Sequence, residues 1–218
     1  MRCFLDETSQ EEAKEEQLLD DTPSGITFKS FEIQSTLGEG TFGKVFKVNL
    51  KNDPDPEANA MAMKVLNKQY LVKNNHLKYA ISECNILKQA THPFVLKMHY
   101  SFQTPANLYM ILDLCTGGDL NYHLSLREVF EENEARFFLA EVILAIEYIH
   151  SLNVIYRDMK PENILVCEDG HIKLADFGLA KEGMSKKNAK AKSFCGSPAY
   201  LPPEMLSDKG VGRPADIY

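Results

Sequence analysis

The feature that most constrains the fold is a glycine-rich segment, residues 37–45, that lies between two stretches of alternating apolar and polar residues. Residues 31–33 precede it and residues 45–48 follow it, and both alternations are typical of β-strands with one buried face. A dinucleotide-binding glycine loop runs from a strand into a helix. The order strand, glycine loop, strand does not fit that fold and predicts two antiparallel strands.

A small sheet that carries one helix is predicted around this pair of strands. Residues 60–66 predict a third strand after a loop with two prolines, and residues 100–102 and 108–112 predict two more. Apolar residues at helical spacing predict a helix over 76–88, and this helix contains Glu83.

The remaining part of the chain is predicted to be mainly helical. Apolar residues recur every three or four positions over 133–152, which predicts a strongly amphipathic helix. Short strands are predicted over 163–167 and 171–174, on either side of a Glu-Asp-Gly turn. The predicted class is α+β, with a β-rich unit over 31–115 and a helical unit over 116–218.

Composition narrows the class of protein. The 218 residues carry a net charge of −7, which disfavours nucleic acid as a partner. Carboxylates crowd the first 21 residues, so residues 1–30 are predicted to form an acidic, disordered tail. The five cysteines form no C-x-x-C pair, which indicates reduced thiols in a cytoplasmic or nuclear protein. No apolar run approaches the roughly 18 residues that span a bilayer, so no membrane segment is predicted.

Two groups of residues in the β-rich unit have the chemistry of a phosphate site. Glycines in residues 37–45 let backbone amides come close to phosphate oxygens. Lys64, on the third strand, and Glu83, on the helix, are a lysine and a carboxylate that can pair and hold the lysine toward phosphates. Each also has an ordinary explanation, since glycines serve hairpins and both charged residues suit a solvated surface.

The densest chemistry lies in residues 156–163, where four charged groups and an amide follow an apolar pair. Such density is costly unless the groups face a cleft, and Pro161 forbids a regular helix there. Asp176 stands 18 residues beyond Asp158 in an Asp-Phe-Gly sequence, which by itself fits a plain turn. Together with Asn163, Asp176 could also supply oxygen ligands of the kind that Mg²⁺ takes alongside nucleotide phosphates.

In this order the segments resemble the motifs of the eukaryotic protein kinases over about residues 31–218. Tyr156 before Arg-Asp, the sequence at 193–198 and the His-Pro-Phe-Val at 92–95 resemble the AGC group of serine/threonine kinases, near the Akt-like and ribosomal-protein-S6-kinase families. The resemblance implies a bilobal kinase fold that contains the small β-rich lobe and the first part of the helical lobe.

The resemblance also implies a site for ATP. The glycine loop would cover the phosphates, and Lys64, held by Glu83, would contact the α- and β-phosphates. Leu112 would be the gatekeeper, and residues 113–115 would be the hinge whose backbone binds adenine. The residues implied in cofactor binding are Leu37, Gly38, Glu39, Gly40, Thr41, Phe42, Gly43, Lys44, Val45, Ala62, Lys64, Leu112, Asp113, Cys115 and Leu165.

Catalytic roles are implied for the charged cluster. Asp158 would orient the substrate hydroxyl and accept its proton, and Lys160 would steady the γ-phosphate. Asn163 and Asp176 would hold Mg²⁺. Catalysis in this class is mostly positioning and neutralisation of charge.

Substrate recognition and regulation are implied by a third set of residues. Asp119 and Glu162 match positions where basophilic kinases receive an arginine before the target serine, and Ser197 matches a substrate-binding position. Ser193 matches the activation-loop phosphosite of AGC kinases, where an upstream kinase would add a phosphate that pairs with Arg157 and Lys181. Departures from the family pattern, such as Pro202 and Ala199, delete no catalytic group. The sequence does not predict the oligomeric state.

Two other functions stay open at this stage. The resemblance ends near the start of the central helix of the kinase C-lobe, so the alternative is a truncated kinase that binds nucleotide or partners and turns over poorly. We then expect an exposed apolar stripe on the helix over 133–152. A small-molecule kinase of similar fold is disfavoured by residues 193–204, which match the recognition of protein substrates.

Overall fold

A computed structural model describes residues 25–40, 43–184, 191, 195–206 and 210–218. The predictions for most of the acidic tail, for the tip of the glycine loop (Thr41 and Phe42) and for Ser193 lie outside these residues. The described residues divide into two units. The first contains those up to residue 84 together with 98–114, and the second contains 85–97 and those from residue 115 onward. The sequence placed one division near residue 115, whereas the structure also groups residues 85–97 with the second unit.

The first unit is built on a five-stranded antiparallel sheet of order β1-β2-β3-β5-β4. The antiparallel β1–β2 pair predicted around the glycine segment is confirmed, and the pairing reaches Gly40 opposite Gly43. The strands are β1 (Phe31–Gly40), β2 (Gly43–Leu50), β3 (Met61–Asn67), β4 (Met98–Gln103) and β5 (Asn107–Asp113).

Two helices follow β3, and the sequence predicted only the second. The short α1 (Lys68–Lys73) begins where the Asn67 side chain accepts a hydrogen bond from the Tyr70 backbone N–H at 2.9 Å. Six residues with one buried side chain are too few to show helical periodicity. The predicted helix is α2 (Leu77–Gln89), shifted by one residue at each end.

The core of the first unit brings all five strands together. Phe102 stacks on Tyr109 with ring centroids 5.0 Å apart, and Met63 on β3 is fully buried. Because side chains alternate along a strand, Lys64 points to the face opposite Met63. The buried cluster consists of Phe31, Val48, Met61, Met63, Phe102, Tyr109 and Ile111.

The second unit is mainly helical, and its described elements include one two-stranded antiparallel sheet. The sequence did not single out α3, which begins where Asp119 Oδ1 accepts a hydrogen bond from the Tyr122 backbone N–H at 2.7 Å. Single 3-10 turns cover Pro161–Asn163, Pro198–Tyr200 and Arg213–Asp216. The helices and strands are α3 (Leu120–Arg127), α4 (Glu132–Ser151), β6 (Ile164–Val166), β7 (Ile172–Leu174) and α5 (Pro203–Leu206).

The long helix α4 buries one face and leaves apolar side chains on another. Ala145 and Ile149 are fully buried, whereas Leu139 and Ile143 keep 58% and 59% of their surface exposed. The exposed apolar stripe expected from the sequence is therefore present. In the part of the chain that the structure describes, no helix combines the length and apolarity needed to cross a membrane.

Candidate active site

The glycine segment contains two kinds of glycine. A Cβ on Gly43 would lie 1.7 Å from the Val65 carbonyl oxygen, so the pairing of β2 with β3 requires a glycine here. A Cβ on Gly38 would meet no described atom within 4 Å, and one on Gly40 would meet only the Gly43 carbonyl oxygen at 4.0 Å. Packing among the described residues does not require Gly38 or Gly40, and both leave backbone that phosphate oxygens can approach.

Lys64 and Glu83 form the ion pair that the sequence predicted. The Lys64 ammonium donates to both oxygens of Glu83, at 2.7 and 2.9 Å. Glu83 lies inside α2 and is 4% exposed, so its charge is buried and needs a cation beside it. The pair fixes the direction of the lysine, because a carboxylate that binds with both oxygens restricts the ammonium to one position.

The residues predicted to surround adenine are divided between the two units. In the first unit, Val45 lies opposite Lys64 and Ala62 lies opposite Leu112 in adjacent strands. Asp113 ends β5 and lies 2.8 Å from the His99 ring nitrogen Nε2. The predicted residues of the second unit are Leu165, on β6, and Cys115, at the start of the segment that follows β5.

Asp158 is at the centre of a hydrogen-bonded cluster within the second unit. The Ser197 hydroxyl donates to Asp158 Oδ1 at 3.1 Å, and the Lys160 ammonium lies 2.9 Å from Oδ2. Lys160 also donates to the Ser197 hydroxyl at 2.9 Å. The Asn163 side-chain amide donates to the Asp158 carbonyl at 2.8 Å and to Oδ2 at 2.9 Å. Asp158 is 8% exposed, so a nearly buried carboxylate is held where it accepts a bond from a hydroxyl.

The backbone that carries Asp158 is held by a buried carboxylate far along the chain. Asp216 accepts hydrogen bonds from the backbone N–H groups of Tyr156 at 2.9 Å and of Arg157 at 2.7 Å. The His150 ring nitrogen Nε2 lies 2.7 Å from the same carboxylate. Arg157 has a φ of 70°, a strained conformation for a residue with a side chain, so these bonds stabilise an unusual backbone. The sequence did not predict this contact of Asp216.

Tyr156 connects this loop to the Asp-Phe-Gly segment. Its hydroxyl donates to the Ala175 carbonyl at 2.5 Å, and its ring packs edge-on against Phe177 with centroids 5.2 Å apart. Complete burial raises the pKa of Tyr156 well above its usual value, and the charges of Asp176 and Asp158 raise it further. The tyrosine therefore stays a neutral hydrogen-bond donor that fixes the backbone just before Asp176.

Asn163 and Asp176 have the chemistry of a magnesium site. The Ala175 N–H donates to the Asn163 carbonyl at 2.9 Å, which brings the two residues onto neighbouring backbone. The Asn163 side-chain nitrogen faces Asp158, so the amide oxygen is its remaining ligand atom. Asp176 is exposed and has a φ of 52°. An amide oxygen and a carboxylate are hard oxygen donors, so the two residues could hold a cation such as Mg²⁺ that takes further oxygens from a nucleotide.

The predicted substrate carboxylates lie on adjacent elements of the second unit. Asp119 caps α3 with Oδ1, and Glu162 is exposed in the turn Pro161–Asn163, against which α3 packs. Arg157 donates its Nε hydrogen to the Leu179 carbonyl at 2.8 Å, and the Lys181 backbone pairs with Ile155. Ser193, whose phosphate was predicted to reach Arg157 and Lys181, lies outside the described residues.

Comparison with known proteins places this chain in a family. The family described as "Protein kinase domain" matches residues 31–218, and the chain belongs to this family. A RAC family serine/threonine-protein kinase homolog of Dictyostelium discoideum is 45% identical over 188 residues, which cover 86% of this chain and 41% of that protein. Ribosomal protein S6 kinase 2 alpha of Gallus gallus is 48% identical over 188 residues, 86% of this chain and 25% of that protein.

A third relative agrees with these two. RAC-beta serine/threonine-protein kinase of Homo sapiens is 42% identical over 193 residues, 88% of this chain and 39% of that protein. The predicted resemblance to AGC kinases of the RAC and ribosomal S6 types is confirmed, as is the α+β kinase fold. The chain spans between a quarter and about two fifths of the length of these three relatives.

Proposed function

We propose that this chain is a serine/threonine protein kinase that transfers the γ-phosphate of Mg-ATP to a hydroxyl of a protein substrate. The observation that carries the proposal is the Asp158 cluster, in which a nearly buried carboxylate already accepts a hydrogen bond from the Ser197 hydroxyl. A substrate hydroxyl would make the same contact. Its oxygen forms the new bond to phosphorus, the bond from phosphorus to the bridging oxygen of ADP breaks, and Asp158 takes the proton.

The other site residues supply charge and position. Lys64, held by Glu83, is a directed cation for phosphate oxygens, and Lys160, beside Asp158, is a second cation near the reacting hydroxyl. Asn163 and Asp176 would hold Mg²⁺, and the metal supplies charge neutralisation when bound. Because these groups are fixed by hydrogen bonds before substrate arrives, little reorganisation accompanies the reaction.

Phosphate transfer from labelled ATP to an arginine-containing serine peptide tests the proposal. An Asp158→Asn variant is the control, because it keeps the size of the side chain and removes the base. We expect transfer by the unchanged protein and a loss of about 10³-fold in the variant. Equal transfer by both proteins would contradict the assignment of Asp158.

The substrate class and the activation step are the finer parts of this proposal. Asp119 and Glu162 are carboxylates on packed elements of the second unit, and arginine pairs well with carboxylates. We expect a preference for arginine three residues before the target serine, measured on a peptide array. Equal phosphorylation of peptides that carry alanine three residues before the target serine would refute this preference. An upstream kinase would act at Ser193, so Ser193→Ala should lower activity.

A second candidate is a kinase fragment that binds nucleotide or partners without turnover. The observation that favours it is the exposed apolar face of α4, with Leu139 and Ile143 more than half exposed. Nucleotide binding measured by calorimetry separates the two candidates. Binding without transfer supports the fragment, whereas binding with transfer that Asp158→Asn abolishes supports the kinase.

A further inference from the structure

Two cysteines of the second unit lie in contact although they are 52 residues apart in the chain. The sulfur atoms of Cys115 and Cys167 are 3.5 Å from each other, and both residues are half-buried. A disulfide bond is about 2.05 Å long, so the two sulfur atoms must approach by about 1.5 Å to form one. Redox-sensitive cysteines often lie next to a resolving cysteine, so this pair is a candidate for reversible oxidation.

The backbone around the two cysteines holds them together. The Gly117 N–H donates to the Val166 carbonyl at 2.9 Å, and the Val166 N–H donates to the Gly118 carbonyl at 2.8 Å. A Cβ on Gly117 would lie 2.8 Å from that Val166 carbonyl oxygen, so only glycine permits this approach. The segments next to Cys115 and Cys167 are therefore fixed against each other within the second unit.

Cys167 is also fixed from its other side, at the base of the turn between β6 and β7. Its N–H donates to the His171 carbonyl at 2.8 Å, and its carbonyl accepts from the Gly170 N–H at 3.1 Å. Cys167 is therefore held by backbone hydrogen bonds on both sides.

The other described cysteines have different surroundings. Cys84 is 1% exposed and therefore shielded from oxidants. Burial raises the pKa of the Cys195 thiol, which makes its thiolate scarcer. The sulfur–sulfur contact that the described residues record joins Cys115 to Cys167, so we expect oxidation to favour this pair.

We propose that Cys115 and Cys167 form a reversible disulfide in the presence of hydrogen peroxide, and that this disulfide lowers the affinity for nucleotide. One thiolate attacks a peroxide oxygen and becomes a sulfenic acid while hydroxide leaves. The second thiolate then attacks that sulfur, the S–S bond forms, and a second hydroxide leaves. The two thiols lose two electrons and two protons, and the peroxide becomes two molecules of water.

The effect on nucleotide rests on the proposed kinase function. Cys115 ends the segment 113–115, whose backbone is implied in adenine binding. Leu165, which is also implied in adenine binding, lies on β6 two residues before Cys167. Formation of the disulfide moves the Cys115 side chain toward β6. Hydrogen bonds depend on the distance and the angle between donor and acceptor, and a misplacement of about 1 Å can cost about 100-fold. For a smaller shift we expect about a tenfold rise in the Kd for ADP.

The experiment treats the purified chain with hydrogen peroxide and reads out two quantities. Tryptic digestion without reduction should give a cross-linked product of the peptides 98–127 and 158–173, each of which contains one cysteine. A titration with fluorescent ADP should show the tenfold rise in Kd, and dithiothreitol should reverse it. The Cys167→Ser variant should bind ADP like the unchanged protein before oxidation and show no change after it.

Two further variants sharpen the test. Cys195→Ser should still give the cross-linked peptides, whereas Cys115→Ser should not. Oxidation that yields only sulfinic acid or other cysteine pairings overturns the proposal, and so does a cross-link that leaves the Kd within twofold. Reduced protein that binds no ADP contradicts the proposed kinase function instead, because the peptide masses report the disulfide independently of nucleotide.

Discussion

The Lys64–Glu83 ion pair and the Asp158 loop are held in place in different ways. Lys64 and Glu83 come from a regular strand and a regular helix, and their contact needs no unusual backbone. Asp158 comes from a loop in which Arg157 has a φ of 70°. That loop is held by hydrogen bonds to Asp216, which is 59 residues beyond Arg157.

The ion pair depends on regular secondary structure, whereas the Asp158 loop depends on particular hydrogen bonds. The ion pair in the first unit is stable wherever β3 and α2 are formed, because the elements themselves aim the side chains. The Asp158 loop depends on a few particular bonds to distant groups, since a strained backbone persists only when its surroundings over-determine it. Mutations in the first site should therefore leave the backbone conformation of β3 and α2 in place, whereas mutations in the second should also disturb the backbone of the loop.

The largest expected effect is on the ion pair. Lys64→Met should lower phosphate transfer by about 10³-fold, because it removes a directed cation from the phosphate site. Steady-state kinetics with a peptide substrate measures the loss. Lys47→Met is the matched control on β2, where the lysine pairs with the exposed Glu57, and it should change the rate less than twofold. A rate of phosphate transfer by Lys64→Met above a tenth of the original would contradict the role proposed for Lys64.

The Asp216→Asn variant tests whether the Asp158 loop depends on the Asp216 carboxylate for its stability. The amide puts N–H groups where backbone N–H groups need an acceptor, so we expect a loss of about 2–3 kcal/mol in the free energy of unfolding. Urea unfolding measures it, and the rate of phosphate transfer should fall in parallel. Glu168→Gln, in an exposed turn, is the control and should stay within about 0.5 kcal/mol. A normal stability for Asp216→Asn would show that the loop is self-supporting.

Gly43→Ala separates packing from ligand binding inside one segment. Because the new Cβ collides with the Val65 carbonyl, we expect a loss of about 2 kcal/mol from the disturbed strand pair. Gly38→Ala meets open space and should leave the melting temperature nearly unchanged while it raises the KM for ATP. Equal losses of stability in the two variants would refute the distinction between the glycines.

The smallest expected effect is a pH dependence of stability at His171. Its hydrogen bond to Glu141 raises the pKa of the imidazole above the usual histidine value of about 6.5. The folded state therefore holds the proton more tightly, and the stabilisation is complete below about pH 6.5 and lost as the pH rises through the folded pKa. The difference in melting temperature between wild type and His171→Gln should be largest at about pH 5.5 and shrink as the pH rises through the folded pKa. In a Glu141→Gln background the difference should vanish.

The sequence predicted the regular part of the molecule well. Alternation and helical spacing located all five strands of the sheet and both long helices, because burial of one face imposes a period on the residues. Those same elements carry Lys64 and Glu83, so their pairing followed from the fold. The short helices α1 and α3 were missed, since six or eight residues with a single buried side chain carry too little periodicity.

For the irregular part, the sequence suggested candidate residues but did not predict their geometry. The residue types at 156–163 indicated a catalytic loop, but no local pattern indicates a positive φ at Arg157 or Asp176. The bonds from Asp216 to the loop, and the contact of Cys115 with Cys167, join residues more than fifty positions apart. Such contacts depend on tertiary packing, which the spacing of residues in a single sequence does not encode.

Because Asp216 holds a loop about 60 residues earlier in the chain, parts of the protein become structured in a fixed order during synthesis. Tyr156 leaves the ribosome 60 residues before the carboxylate that will hold its backbone. At about 5–20 residues per second this interval lasts about 3–12 s. During that time the strained turn at Arg157 lacks its anchor, whereas β3 and α2, which need only earlier residues, are already complete. The nascent chain therefore acquires the Lys64–Glu83 pair before it acquires a positioned Asp158.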